Sequence, residues 1–441
     1  MTSRLLDQGM EPTSTPVSPA YDSLKRRLHG KLLDALNLGA LKDIPRATLK
    51  AQLRNTLDGL LRIEREPLTE AQQTRILDEI LDEVLGYGPL ESLLNDPHIS
   101  DILINGPHKV YVERFGKLER VDVRFRDESH LQHIINRIVN SVGRRIDESN
   151  PMIDARLSRD GSRFNAVIAP IALDGALVSI RRFSVDPIRR DDLVRLGSAP
   201  GPILDLLEGM VRAKSNILVS GGTGSGKTTF LNVLSSFIPE GERIVTIEDT
   251  AELQLQQEHV ARMETRPPNL EGHGEILPRA LVRNALRMRP DRILVGEIRG
   301  DESIDMLQAM NTGHEGSIST IHANSPRHAL SRLQTMVGLG IGNIQGAAIR
   351  EMIADALHVV VQLSRHADGR RRLTSITEVT GLESGVISTQ EIFRYRQQTV
   401  STTGEVKGVF EATGVRPKLL DRLKTHGVDF DPSTLQLRQE G

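Results

Sequence analysis

The 441-residue sequence contains no cysteine and no tryptophan, and its aromatic content is only 3%. The first absence excludes disulfides, cysteine-ligated zinc and a cysteine nucleophile, and it fits a reducing compartment. The lack of tryptophan weakens any role in stacking single-stranded bases. Charge of one sign is missing too: the net charge is −2, so there is no global basic field for nucleic acid. No stretch approaches the ~20 apolar residues of a membrane span. The first residues, Met1-Thr2-Ser3-Arg4-Leu5-Leu6-Asp7-Gln8, hold no apolar run long enough for a signal peptide. A cytoplasmic protein, peripheral to a membrane, is the expectation. The length suggests two or three domains with ample core.

The most informative segment present is Gly221-Gly222-Thr223-Gly224-Ser225-Gly226-Lys227-Thr228, a complete G-x-x-x-x-G-K-[ST] phosphate loop. Its glycines let backbone N–H groups turn inward around phosphate oxygens. Lys227 supplies positive charge to the β- and γ-phosphates, and the Thr228 hydroxyl suits Mg²⁺. Asn216–Ser220 reads as a short buried strand, and the segment opening at Thr229 reads as the following helix. Strand, loop and helix in that order are the context the motif needs. A glycine-rich turn with a chance lysine would need no such context, so the expectation is nucleoside triphosphate binding.

Along the chain, residues 1–20 hold three prolines among serines and threonines and read as a disordered tail. Residues 21–95 read as helical, with helices over Tyr21–Leu38 and Ala47–Arg65 and a third opening at a capping box, Thr69 to Gln72. Residues 96–185 read as a small α/β domain, with strands at Asp101–Ile104, Val110–Glu113, Leu118–Val123, Phe164–Ile168 and Leu177–Arg181 and an amphipathic helix at Ser129–Val142. Residues 186–205 carry Pro187, Pro200 and Pro202 and suit a linker. From about 206 to 441, short apolar strands alternate with helices, as in a doubly wound α/β domain. A hairpin of His358–Leu363 and Arg372–Thr380 and a helical tail close the chain.

A phosphate loop alone does not hydrolyse ATP; a carboxylate must position water and another must hold Mg²⁺. Two candidate segments end core strands: Thr246-Ile247-Glu248-Asp249-Thr250-Ala251-Glu252, and Arg292-Ile293-Leu294-Val295-Gly296-Glu297. Carboxyl ends of parallel strands are where such sheets bind ligands. Any one strand-end acid can be merely solvated; two beside a phosphate loop suggest a site. A third element, Gly313–Asn324, offers two histidines. His314 reads as a satisfied structural histidine, whereas His322, just after a buried strand, is better placed to contact a γ-phosphate. Arg163, Arg181 and Arg182 lie outside the ATPase segment; arginine suits transition-state charge, but a surface ion pair is the usual explanation for any one of them.

Together these segments resemble the secretion-type ATPases that power type II and type IV secretion and type IV pili. Arg287–Arg299 is similar to that family's Walker B approach, Gly313–Asn324 to its His box and Thr246–Glu252 to its Asp box. Gly86–Glu91, Ser100–Gly106, Arg145–Leu157, Asp160–Pro170 and Thr413–Lys418 resemble the CpaF-like branch, which assembles tight-adherence (Tad/Flp) pili. The resemblance implies a RecA-like P-loop ATPase domain, preceded by a small PAS-like α/β domain and an N-terminal helical bundle. It implies ATP and Mg²⁺ as cofactors. Glu252 would be the general base, Glu297 the residue that organises Mg²⁺ through its waters together with Thr228, and His322 the His-box histidine. Arg163 and Arg181 would reach the nucleotide in cis or from a neighbouring subunit. A homo-hexameric ring acting on an inner-membrane pilus platform protein follows from the same resemblance. The tetracysteine metal insertion of some members is absent, which argues against zinc.

Four functions compete. A pilus-assembly motor stands first, favoured by the N-terminal helices and the Arg416-Pro417 tail. A type IV secretion or conjugation-type ATPase exporting protein or DNA stands second. A nucleic-acid translocase is disfavoured by the neutral charge and missing tryptophan. A catalytically dead scaffold is disfavoured by intact Lys227, Glu252 and Glu297.

Overall fold

The computed structural model describes residues 46–64, 68–114, 116–182, 188–269, 272–341, 345–402, 404–431 and 438–440, together with positions 24, 27, 28, 30–32, 433 and 436. The expected tail at 1–20 and most of the expected helix Tyr21–Leu38 lie outside these residues. The chain gathers into two compact units, Met1–Ser184 and Val185–Gly441.

In the first unit, helices Arg46–Glu64 and Glu70–Leu85 pack through a leucine-rich seam. Leu49, Leu53 and Leu57 meet Ile76, Leu77, Ile80 and Leu81, with Leu24, Leu28 and Leu32 in the same cluster. Four-residue spacing puts each set on one helical face. The second helix starts at a reciprocal cap: the Gln72 N–H donates to Thr69 Oγ1 (3.3 Å) and the Thr69 N–H donates to Gln72 Oε1 (2.9 Å), which satisfies two end donors. An antiparallel sheet follows in the order β3-β2-β1-β6-β5-β4. Its strands are β1 (Ile99–Asn105), β2 (Val110–Arg114), β3 (Lys117–Val121), β4 (Met152–Arg156), β5 (Arg163–Val167) and β6 (Leu177–Arg181). Helix Glu128–Ser141 buries Leu131, Ile134, Ile135 and Ile138 in one core with Ile102, Ile104, Phe164, Ala166, Val178 and Ile180. Alternation along the strands sends Arg163 and Arg181 to the opposite face. Strand β4 was not legible in the sequence: it is an edge strand whose one buried residue is Ile153, so it shows no apolar alternation.

The second unit is an α/β domain around a ten-stranded sheet, ordered β16-β15-β14-β13-β12-β7-β11-β10-β8-β9. The parallel part comprises β7 (Ile217–Gly221), β8 (Ile244–Glu248), β9 (Val260–Glu264), β10 (Arg292–Ile298), β11 (Ile318–His322) and β12 (Val359–Arg365). Every residue of β7 is buried because both faces are covered. Ile217 and Val219 join helices Gly201–Arg212 and Lys227–Ser235 in one core, while Leu218 joins helices Glu302–Asn311, Pro326–Ile341 and Gly346–Ala356 in the other.

Asn216, fully buried just before β7, holds the amino ends of three strands level. Its Oδ1 accepts the N–H groups of Gly316 (2.7 Å) and Ser317 (3.2 Å), and its Nδ2 donates to the carbonyls of Ala356 (2.6 Å) and Met310 (3.3 Å). The Asn216 N–H donates to His358 Nδ1 at 2.9 Å. Burial, aided by Arg422, pushes the His358 value down to about 4, so the ring stays neutral and able to accept. In the resulting register Ile217 lies opposite Ile318 and Val359, and Gly221 opposite His322 and Leu363.

Two expectations need correction. The segment 186–205 is not a linker where it is described. It forms helix Arg190–Arg195 and the start of Gly201–Arg212, and Leu193, Ala199, Ile203 and Leu204 are buried in the main core. Its described prolines open a helix rather than break structure: Pro200 caps helix Gly201–Arg212 and Pro202 occupies its first turn, where no backbone donor is needed. The C-terminal hairpin is also larger than expected. Strand β12 is a parallel neighbour of β7, and β13 (Arg371–Glu383) continues into β14 (Val386–Val400), β15 (Val406–Ala412) and β16 (Arg438–Glu440). Much of β14 is exposed, so its sequence lacks the apolar run that marks the central strands.

Asn216→Ala leaves four buried backbone groups unpaired and should destabilise this unit by about 2–4 kcal/mol. Urea unfolding of the full chain measures it; a loss below about 1 kcal/mol would mean the strand ends hold their register without the amide.

Candidate functional site

The phosphate loop leaves β7 and enters helix Lys227–Ser235 through Gly224 (φ +67°) and Gly226 (φ +92°). Such left-handed values favour glycine. Gly221 is required for a different reason: a Cβ there would lie 2.9 Å from the Leu363 carbonyl oxygen and closer still to Ser225 Oγ. Lys227 Nζ turns back on its own loop and donates to the carbonyls of Gly221 and Gly222, 3.1 Å each. Burial pushes the ammonium below the usual lysine value, with Arg299 and Arg332 acting the same way and Glu297 opposing them. A half-buried cation bonded to carbonyls, at a helix amino end, fits a polyanionic ligand. Thr228 and Thr229, the next helical residues, sit in that first turn.

The two acidic segments converge beside the loop. Glu297 lies near the end of β10, and Arg299 spans from it to the Asp249 segment. Arg299 Nε and Nη2 donate to Glu297 Oε2 (2.9 and 2.5 Å), while Nη1 pairs with Asp249 Oδ2 at 3.1 Å. Burial alone would lower the Arg299 value, but the bonds to Glu297, with Asp249 and Glu252 nearby, outweigh it and raise it. Lys227, Glu297, Arg299, Asp249 and Glu252 therefore share one electrostatic neighbourhood at the carboxyl ends of the parallel strands. This is where an open α/β sheet binds ligands.

His322 ends β11 directly opposite Gly221, whereas His314 precedes the other end of that strand, with its N–H on Ala309 O. Arg163 and Arg181 belong to the first unit and are cross-strand partners on β5 and β6. Arg181 Nε pairs with Asp101 Oδ1 at 3.0 Å.

Several residues here carry no local signal in the sequence. Arg156 lies opposite Arg163 on β4, which makes a row of three arginines on one sheet face; without β4 that row was invisible. Arg299 ends the Walker B-like segment, and nothing local marks it as the bridge to Asp249. Glu248, the last residue of β8, was read only as part of the acidic segment. Its Oε2 accepts the N–H groups of Glu252 (2.7 Å) and Leu253 (2.8 Å), which shapes the turn that presents Glu252. Gly296 lets it approach, since a Cβ there would lie 3.0 Å from Glu248 Cγ.

Residues 83–409, about three quarters of the chain, match the family described as type II/IV secretion system protein. The chain belongs to that family. Among this secretion-family member's relatives is a putative conjugal transfer protein of Mycobacterium tuberculosis, 39% identical over 311 residues, 69% of this chain and 87% of that one. The conjugal transfer protein TrbB of Rhizobium radiobacter is 30% identical over 281 residues, 63% of this chain and 83% of that one. Among solved structures, the VirB11 ATPase of Brucella suis is similar at 28% identity and a TM-score of 0.37, covering 65% of this chain and 94% of that one. The pilus retraction motor PilT is similar at 22% identity and a TM-score of 0.46, covering 63% and 78%. At such scores the fold of the secretion-family chain rests on its own topology. No described helix is long and apolar enough to cross a membrane.

Burial raises Glu248 from the ordinary 4.5 to about 7, against the two backbone bonds that lower it. Its Oε1 is buried and has no hydrogen-bond partner among the described residues, as suits a neutral carboxyl. Because the folded value lies above the unfolded one, the stabilisation is complete below about pH 4.5 and is lost as the pH rises through about 7. Glu248→Gln keeps the accepting oxygen and removes the titration. The variant should match the wild type at pH 5 and be more stable at pH 8 by roughly 1–3 kcal/mol. Urea unfolding at both pH values checks this, and a variant weaker at pH 8 would mean that the carboxylate is ionised in place.

Proposed function

We propose that this secretion-family protein is a MgATP-driven motor of the conjugation or type IV secretion type. The convergence of Lys227 with the Glu297–Arg299–Asp249 cluster at the phosphate loop carries the nucleotide part of the reading. The named relatives support the choice of machinery: conjugal transfer and VirB11 proteins favour the export reading over the pilus reading that the sequence had ranked first.

The loop amides and Lys227 would hold the phosphates. Thr228 and Glu297 would hold Mg²⁺, Glu297 through water, and that ion would supply charge neutralisation at the transferred phosphoryl group. Glu252, presented by the turn that Glu248 shapes, would take the proton of the attacking water. His322, level with the start of the loop, would sense the γ-phosphate. Arg163 and Arg181 would supply transition-state charge, since guanidinium is always ionised and planar. A hexameric cytoplasmic ring at the inner membrane would turn the cycle of closure and release into rigid-body motion. A Tad-type pilus motor remains the second reading. Its support is the pair of helices Arg46–Glu64 and Glu70–Leu85, which lie almost wholly ahead of the family match, and helix Leu419–Thr425 beyond it. Loss of DNA or protein transfer in a deletion strain with pili intact would favour the first; loss of pili alone, the second.

Phosphate release from purified full-length protein tests the chemistry. Lys227→Ala should fall to background, and Glu252→Ala should retain ATP while turnover drops by about 10²–10⁴-fold. Normal turnover in the Glu252 variant would move the base to Glu297. Activity per subunit should rise steeply with protein concentration if a neighbour completes the site. A flat profile from a protein that sizes as a monomer would defeat the ring.

A further inference from the structure

The hairpin that follows the parallel strands crosses the lip of the phosphate loop. Strand β12 runs beside β7 until Leu363 stands opposite Gly221, and two residues later it ends at Arg365. A tight turn with His366, Asp368 and Gly369 (φ +80°) reverses the chain, and Arg371 opens β13 directly opposite Arg365. Both arginines are exposed. Asp368 is committed to the buried Arg372, whose Nη1 and Nη2 lie 3.3 and 3.1 Å from its oxygens, and to the Val406 N–H.

Both side chains reach the loop. Arg371 Nε donates to the Gly224 carbonyl at 2.9 Å, and a Cβ on Gly226 would lie 3.3 Å from Arg371 Cδ. A Cβ on Gly224 would lie 3.5 Å from Arg365 Nη1. Gly224 and Gly226 are the positive-φ residues whose conformation turns the loop amides toward a phosphate. Two guanidinium groups thus stand at the loop itself, on the same unit as Lys227.

We propose that Arg365 and Arg371 form a cis-supplied grip on the phosphate groups of the bound nucleotide, in addition to Lys227. Arg371 anchors the loop backbone through Nε, which leaves the planar fork of its terminal nitrogens to face an anion. Arg365 adds the second charge. Because both residues come from the subunit that carries the loop, the grip acts before any neighbour contributes. The inference rests on the nucleotide-binding reading of the loop.

Isothermal titration of the full chain with ATP and with ADP, at two salt concentrations, tests it in the wild type, Arg365→Ala, Arg371→Ala and Arg371→Lys. Each alanine variant should bind ATP about tenfold more weakly and lose part of the salt dependence, and Arg365→Ala, which leaves the Arg371 bond to the loop backbone in place, should do so without lowering the nucleotide-free thermal midpoint. Lysine at 371 should recover part of the affinity, since it keeps the charge but not the fork. Wild-type affinity in both alanine variants would overturn the grip. So would weaker binding that comes with a lower nucleotide-free midpoint and an unchanged salt dependence, because the arginines would then only brace the loop. A wild-type chain that binds neither ATP nor ADP would instead remove the nucleotide reading itself.

Discussion

The buried amide of Asn216 sets the geometry on which the rest of the second unit depends. It is bonded to groups just before β11 and at the ends of two helices, one of which leads into β12, while its own backbone leads into β7. A parallel sheet has no tight turn to fix its register, because its strands are joined by long crossovers. A single side chain that satisfies four backbone groups at the amino ends supplies that constraint. Its consequence is felt five residues later, where Gly221, His322 and Leu363 arrive at one level. The neutral state of His358 belongs to the same arrangement, since a protonated ring could not accept the Asn216 N–H.

At the carboxyl ends the balance is electrostatic. Burial depresses Lys227, Glu297 opposes it, and Arg299 and Arg332 add to the depression. Arg299 ties that glutamate to Asp249 on the neighbouring acidic segment, so the strand ends of β8 and β10 are coupled by one guanidinium. Glu248 takes the opposite course. It is buried, favours its neutral form and serves as a hydrogen-bond acceptor that folds the turn leading to Glu252. Two acids four residues apart thus do different work because one is desolvated and the other is presented.

The first unit concentrates charge in another way. Arg156, Arg163 and Arg181 stand side by side across β4, β5 and β6, with Asp101 beside the last. The opposite face of the same sheet carries the apolar core.

Much of the candidate site was legible in the chain because its parts are local. The phosphate loop is a contiguous motif, the capping box at Thr69 is a three-residue spacing, and the apolar runs before Glu248 and Glu297 announce buried strands. What the sequence could not announce were features defined by partners far along the chain. Strands β4, β9 and β14 are weakly patterned because they lie at edges or are largely exposed. Residues 186–205 read as a linker because prolines mark helix starts as well as breaks. Sequence alone determined the class of fold and the expectation of a nucleotide ligand, since glycines, one lysine and strand-ending acids carry that information in their own order. Only the tertiary structure decided which charges meet. Arg299 reaches Asp249, Arg371 reaches Gly224 and Arg156 joins Arg163 through sheet pairing and register, which bring together residues that no local pattern relates.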